Sequence, residues 1–463
     1  MSAVGIDDDK QKLLMSNARN LLYENSERTF ILPSEKLVSL ELRDSFLIIS
    51  SSESLDSTKI CAADIVGTKV TEKVSQDKTR NYILNIYYYP CCEFTCINTG
   101  SHRQRRHAAI LFKYSHADIC QNWADAINSQ IFGSLITGLA KQRSFLVFVN
   151  PVSGNGSAVA IWDSIVSIML KDAGINVTLV LTERQGHAKE YVATTDLTSF
   201  CVILSVGGDG LFSEVVQGIT SRQDSIEIFQ QVGLAPIPGG SGNGLVKSIL
   251  FECNETYSVE SATFVALKGT NRHMDLSLYQ TKNGNYHSFL SLAWGLVSDI
   301  DIQSEPIRWM GETRFALAGL YFIAKRMVYK GCLSFIPACS QTKNSNLSSS
   351  ASHSVNIELP LLSEPFTFLS VEHDVQVISG EFLLVWVVQT SHATAHMHSG
   401  PGVQLDDGFF TIFVVRDMNR FELLQLFLAI DNGNHVSNPK VEKFIAYAFR
   451  LEPEGDHGLF SYI

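Results

Sequence analysis

The chain has 463 residues, 45% hydrophobic and 18% charged, with a formal net charge of −11. That length exceeds one ordinary core and predicts two or three domains. The acidic balance argues against a nucleic-acid partner, which would need a basic field. Met1 to Lys10 is acidic and lacks the apolar stretch of a secretory leader, so residues 1–27 read as a flexible, cytoplasmic N-terminus.

Residues 28–135 read as a separate β-rich module. Phe46-Leu-Ile-Ile49, Tyr82-Ile-Leu-Asn-Ile-Tyr-Tyr88 and Ala108-Ala-Ile-Leu-Phe112 are short β-prone runs between polar turns. An amphipathic helix follows over Ala117–Ile131, with Ile119, Trp123, Ile127 and Ile131 on one face. Strands closed by such a helix resemble a pleckstrin-homology-like module; an unrelated β-rich extension would give the same pattern. The basic cluster His102-Arg-Gln-Arg-Arg-His107 suits either a solvated loop or anionic lipid headgroups. Cys91, Cys92 and Cys96 lack a second pair at zinc spacing, and the nine cysteines form no repeating framework, so reduced thiols are expected.

Residues 144–270 alternate strand and helix. Phe145–Val149, Val177–Leu181, Cys201–Ser205 and Leu234–Ile237 read as strands, and Ser157–Ala173, Ala188–Ala193 and Leu211–Ile219 as helices. This predicts a parallel α/β lobe whose ligand lies at the strand carboxyl ends. From residue 271 to 463 the pattern turns to strands, including His287–Leu292, Phe382–Val388 and Phe409–Val415, with one late helix over Asn419–Ile430. A β-sandwich-like lobe is expected there, interrupted by a disordered Ser/Asn-rich insert near 340–354. The apolar run Phe315–Ala324 is too short to span a bilayer. With Lys325, Arg326 and Lys330 behind it, it reads as a core helix with a charged last turn, or as a calmodulin- or membrane-binding helix.

Three glycine-punctuated loops carry the chemistry: Asn150-Pro-Val-Ser-Gly-Asn-Gly156, Gly207-Gly-Asp-Gly210 and Gly239-Gly-Ser-Gly-Asn243. Each follows a strand and precedes a helical run. Glycine admits a phosphate close to the backbone, and a helix N-terminus offers N–H groups and a favourable dipole. No Gly-Lys-Ser/Thr follows the first loop, and Val159 stands where a dinucleotide fingerprint needs its third glycine. Phosphoryl transfer also needs a group that orients or deprotonates the attacking hydroxyl. Asp209, on a tight turn at a strand end, suits that role; it suits equally a cap on the helix that follows.

These loops resemble the catalytic signature of the diacylglycerol/sphingosine lipid kinase superfamily. Further blocks are similar to sphingosine kinases: Ser291-Leu-Ala-Trp-Gly295, Asp299-Ile-Asp301, Ser304-Glu305, Gly311-Glu-Thr-Arg-Phe315, Tyr329-Lys-Gly331, Leu426-Phe-Leu-Ala429 and Phe449-Arg-Leu-Glu-Pro453. The resemblance covers about residues 144–460. It implies a cytoplasmic kinase, peripherally associated with membranes, that uses ATP and Mg2+ to phosphorylate the primary hydroxyl of a sphingoid base. By the same resemblance Asp209 is the base and, with Gly207, Gly208 and Gly210, belongs to the substrate site. Asn150, Pro151, Val152, Thr182, Glu183, Arg184, Gln185, Gly186, Glu214, Gly240, Ser241 and Gly242 would line the ATP site, with Arg308 and Arg314 meeting the phosphates. Asp301 would hold the lipid's amino group. An ammonium about 4 Å from a carboxylate gains up to ~4 kcal/mol at an effective dielectric near 20, before desolvation. Six residues separate Arg308 from Arg314, so they share no helical face and converge only if the chain bends between them.

Two departures accompany the resemblance. The family carries one or two lysines in the first loop, where Asn155 and Ser157 stand here. It continues past Phe460 to an acidic terminal motif, where this sequence reads Ser461-Tyr-Ile463. Reduced activity, or a metal held by other groups, is the expectation. The alternatives are a ceramide or diacylglycerol kinase, or a weakly active membrane-recruited scaffold.

Overall fold

The computed structural model describes residues 29–31, 37–43, 45–51, 57–74, 78, 80–96, 100–132, 143–311, 313–338, 374–455 and 460–462. The N-terminal 1–27 segment and the Ser/Asn-rich insert at 340–354 lie outside the described residues. The chain divides into two compact units, one of residues up to 145 with 163–178 and 258–269, the other of 146–162, 179–257 and 270 onward.

In the first unit seven antiparallel strands form one sheet, in the spatial order Ser57–Cys61, Phe46–Ser51, Leu37–Arg43, Thr29–Ile31, Ala108–Tyr114, Arg80–Tyr88 and Ile65–Val74. Alternation along the strands sends Leu40, Leu47, Leu84, Ile86 and Phe112 to one face. The Ala117–Phe132 helix packs Cys120, Trp123, Ala124 and Ile127 onto that core. Beside it, Tyr89 donates to Asp172 at 2.9 Å, and the Arg105 guanidinium bonds Asp64 and lies 3.5 Å from the Phe264 ring centroid. Burial pushes the Asp172 carboxyl above its ordinary range, against the hydrogen bond from Tyr89. Cys61, Cys91, Cys92 and Cys120 of this unit form no disulfide.

The second unit contains the glycine loops. The order Asn176–Leu181, Ser144–Val149, Val202–Gly207, Gly233–Pro238 forms a four-stranded sheet, with the last two strands parallel in register from Val202↔Gly233 to Gly207↔Pro238. The chain leaves the Ser144–Val149 strand to one side and the Val202–Gly207 strand to the other. Their loops therefore diverge at a topological switch point, where open α/β sheets leave a crevice. The apolar face of the Asp209–Thr220 helix, with Leu211, Val215 and Ile219, packs against Leu146, Phe148 and Ile203. The segment read as one helix over Ser157–Ala173 is helical at Ser157–Ile161 and Ser167–Asp172, with a π-helical turn at Trp162–Val166 between them.

The remainder of this unit is built on a seven-stranded antiparallel sheet, in the order Gln376–Phe382, Tyr329–Pro337, Val441–Pro453, Phe410–Val415, Leu384–Val388, Ser291–Gly295, Phe460–Tyr462. The Leu384–Val388 strand is buried on both faces. Val385 and Val387 join Trp294, Phe335 and Phe382 on one side. Leu384, Trp386 and Val388 join Phe413 and the helices Leu296–Ser304, Thr313–Lys325 and Arg420–Ile430 on the other. The first of these helices falls where strands were expected: Leu296, Ile300 and Ser304 recur at helical spacing behind Gly295, whose φ of +89° turns the chain out of the preceding strand. Asn419 closes the last helix with a reciprocal capping box to Glu422.

Candidate functional site

The site starts from glycine packing. A Cβ on Gly240 would lie 2.4 Å from the Cα of Gly208, and one on Gly154 would lie 2.6 Å from the Gly239 carbonyl oxygen. The three loops read from the sequence are thus stacked backbone on backbone, and only glycine permits that approach. Gly239 N–H donates to Gly207 O at 2.9 Å and Asn150 N–H to Val206 O at 3.2 Å, extending the sheet into the loops.

Asp209 is the first residue of the Asp209–Thr220 helix, behind an N-cap at Gly208. Its side chain does not cap its own helix. Oδ2 accepts the N–H of Gly244 at 2.8 Å and Oδ1 that of Leu245 at 3.2 Å, the first two residues of the Gly244–Glu252 helix. The carboxylate thereby closes the N-terminus of a helix 35 residues further along the chain. Asp209 is 5% exposed, and burial pushes its carboxyl up to about 6, against the hydrogen bonds from Gly244, Leu245 and Asn243. It is therefore a carboxylate that titrates close to neutrality, the range in which proton transfer is most effective.

Asn243 sets the third loop. It holds a left-handed φ of +61°, its Nδ2 donates to Gly240 O at 2.6 Å and its Oδ1 accepts Gly240 N–H at 3.2 Å. An Asn behind Gly-Ser-Gly is the sequence signal for this, since Asn tolerates the left-handed region and bonds nearby backbone.

Among the other residues singled out, Val152 N–H donates to Asn150 Oδ1 at 3.2 Å; Pro151 is half-buried and Val152 is 82% exposed. Thr182 is buried at the end of its strand, its N–H on Val149 O at 2.9 Å. Glu183, Arg184 and Gln185 are exposed, and Arg184 pairs with Glu190. Glu214 accepts Gly186 N–H at 2.9 Å and Ala188 N–H at 3.2 Å, so its carboxylate occupies the N-terminus of the His187–Thr194 helix.

Gly208, Asp209, Gly210, Ser241 and Gly242 share one cleft of about 310 Å³ with Asp301 and Arg314. Its other walls are largely apolar: Leu290, Ala293, Val297, Ile300, Phe315, Trp386, Met397 and Phe427. Gly207 lies one residue behind this lining, next to Ser153 and Leu211. Arg314 is buried; Nη1 donates to Glu305 at 2.5 Å, Nη2 lies 3.8 Å from Asp301, and the guanidinium sits 4.4 Å from the Phe315 ring centroid. The chain bends between the two helices at Ile307, which has non-helical φ and ψ, and at Gly311 with φ of +63°. That bend brings Arg314 back beside Asp301. The side chain of Arg308 is outside what the structure describes. Glu305 belongs to a block that carries the resemblance but was assigned no role from the sequence, because its partnership with Arg314 exists only after the bend.

Among the described residues no three His, Cys, Asp or Glu side chains gather as a metal cage, and no helix is long and apolar enough to cross a membrane.

Comparison with known proteins gives two matching families. Residues 144–279 match the diacylglycerol kinase catalytic domain, and residues 360–461 the YegS C-terminal NAD kinase beta sandwich-like domain. The chain is 32% identical over 335 residues to sphingosine kinase 1 of Arabidopsis thaliana, covering 72% of this chain and 67% of that protein. It is 33% identical over 328 residues to sphingosine kinase 1 of Rattus norvegicus, covering 68% and 84%. A solved structure described as a putative diacylglycerol kinase from Bacillus anthracis is 18% identical, with a TM-score of 0.47 over 69% of this chain and 90% of that one.

Proposed function

The chain belongs to the sphingosine kinase family, and from that we propose that it transfers the γ-phosphoryl group of ATP to the primary hydroxyl of a sphingoid base. The observation that carries this is Asp209: a buried carboxylate, pushed up to about 6 by that burial, lining a cleft whose other walls are mostly apolar. Ionised Asp209 takes the hydroxyl proton. The substrate oxygen bonds to the γ-phosphorus while the bond to the β–γ bridging oxygen breaks, and ADP leaves with that electron pair.

The glycine loops supply the room for the phosphates. Asn150 to Val152, Thr182 to Gly186 and Gly240 to Gly242 receive the nucleotide, Glu214 holding the second of these segments in shape. Arg308 and Arg314 bring positive charge, and Asp301 meets the lipid ammonium, a group that ceramide and diacylglycerol lack. Mg2+, when bound with the triphosphate, neutralises phosphate charge. Such an ion is commonly held by substrate phosphate oxygens, waters and one or two carboxylates.

A membrane surface is the natural source of such a substrate. Leu317, Leu320 and Tyr321 lie exposed on the Thr313–Lys325 helix, Phe421 and Leu428 on the Arg420–Ile430 helix, and Trp309 is 70% exposed nearby in sequence. These support peripheral docking on a membrane surface. Calmodulin is the weaker partner, since Phe322 and Ile323 of the same helix are buried in the core.

The test is ATP-dependent phosphorylation of sphingosine, ceramide and diacylglycerol in detergent, wild type beside Asp209→Asn. Transfer to sphingosine alone, lost in the variant, is expected. Preference for a neutral lipid would overturn the role of Asp301, and no transfer to any lipid would favour a scaffold.

A further inference from the structure

Arg314 is the one cationic side chain among the described residues lining the cleft, and it rests against acids. Its Nη1 is held by Glu305 at 2.5 Å and its Nη2 lies 3.8 Å from Asp301. Its Nε is buried without a hydrogen-bond partner, so the guanidinium has a donor to spare. Asp301 and Glu305 are part-exposed, at 36% and 50% of the side chain, while Arg314 is at 6%. A cationic lipid entering the cleft therefore meets a carboxylate already screened by a fixed charge. A polyanion entering over Ser241 and Gly242 meets Arg314 in the lining of the same cleft.

We propose that Arg314 couples the two substrates: it screens Asp301 in the empty cleft, and the triphosphate draws it off, so that nucleotide binding raises affinity for the lipid amine. This rests on the sphingoid-kinase reading of the cleft and adds a binding order to it. A guanidinium bonds carboxylate and phosphate with the same fork of donors, so the exchange needs no new chemistry, only a rotation of the side chain. A phosphate carrying more than one negative charge competes well with two part-exposed carboxylates, whose solvation offsets the loss of their partner. Coupling is reciprocal, so the amine must raise nucleotide affinity by the same factor.

The experiment measures equilibrium binding of a fluorescent sphingoid base in mixed micelles, with and without a non-hydrolysable ATP analogue, beside an N-acetylated base that carries no cation. In the wild type the analogue should raise amine affinity on the order of tenfold and leave the acetylated lipid unchanged. In Arg314→Met, nucleotide-free affinity for the amine should already stand at the raised level, and saturating analogue should change it by less than about twofold. Weaker nucleotide-free binding in that variant, or coupling that survives in it, overturns the proposal; surviving coupling would mean direct attraction between ammonium and phosphates. Should Arg314→Met fail to fold, Glu305→Gln tests the same balance. It leaves the guanidinium to Asp301, so nucleotide-free amine affinity should fall, and a rise refutes the screening. No amine binding by the wild type in either state would instead refute the sphingoid reading of the site.

Discussion

Asp209→Asn separates the catalytic from the structural role of the buried carboxylate, because the two depend on pH in opposite directions. Its carboxyl is raised from 3.8 to about 6 by burial. At 1.36 kcal/mol per pH unit this corresponds to about 3 kcal/mol of differential interaction between its two protonation states. The group's contribution to stability is fully present below the unfolded value of 3.8 and is lost as pH rises through 6. Wild type should therefore lose about 3 kcal/mol relative to the Asn variant between about pH 4 and pH 7. Activity runs the other way, since only the ionised carboxylate accepts the hydroxyl proton.

The variant also loses an acceptor. Gly244 and Leu245 each direct an N–H at the side chain, and an amide answers only one of them, at a cost of about 1–3 kcal/mol. Near pH 4.5 the wild-type carboxyl is itself protonated and, like the amide, offers one good acceptor, so the two proteins should melt close together. Near pH 7 the variant should melt higher, by the ionisation it is spared. Turnover should fall by roughly 10²–10⁴. The assays are labelled-phosphate transfer to sphingosine and a melting difference, wild type minus variant, across that pH range. Wild-type kcat/KM should show an acid limb with an inflection near 6 that the variant lacks. A variant that keeps a tenth of the wild-type turnover, or a melting difference flat with pH, would refute the reasoning.

Three further substitutions probe the walls of the site. Gly240→Ala puts a Cβ 2.4 Å from the Gly208 Cα, backbone against backbone, and should raise KM for ATP at least about tenfold while circular dichroism stays unchanged. Glu214→Gln keeps the shape but leaves Gly186 or Ala188 N–H without a good acceptor; KM for ATP should rise roughly fivefold, about 1 kcal/mol, with KM for sphingosine unaltered. Gly319→Ala places a Cβ 2.7 Å from the Phe427 ring, and Phe427 lines the cleft, so KM for the lipid should rise while KM for ATP holds.

The strand–glycine–helix units were legible because the signals are local. Gly154, Gly156 and Gly186 adopt positive φ values, Asn243 bonds its own loop, and Phe145–Val149 is an uninterrupted apolar run. The N-terminal β-rich module was legible for the same reason, through the β-prone runs that became the Phe46–Ser51 and Arg80–Tyr88 strands. The contact of Arg314 with Asp301 and Glu305 was not, because it depends on a bend at Ile307 that no single residue announces. The Leu296–Ser304 helix was passed over because its flanks read as strands and Val297 and Ile300 favour either state.

The sharpest difference concerns what the helix N-termini hold. The sequence reads them as open seats for phosphate, and the physics is sound: N–H groups and dipole both favour an anion. In the folded chain one of those three seats, and the start of one further helix, are already taken by the protein's own anions. Asp209 occupies the start of the Gly244–Glu252 helix, and Glu214 the start of the His187–Thr194 helix. The first loop, with Asn155 and Ser157, brings no charge of its own. More of the compensation for a triphosphate then falls on the cleft cation Arg314, which rests on Asp301 and Glu305. Internal carboxylates at the helix starts and an arginine shared with the lipid's acid belong to one electrostatic arrangement. On the coupling proposed for Arg314, binding of the anionic and the cationic substrate would depend on each other, which an open set of helix N-termini would not do.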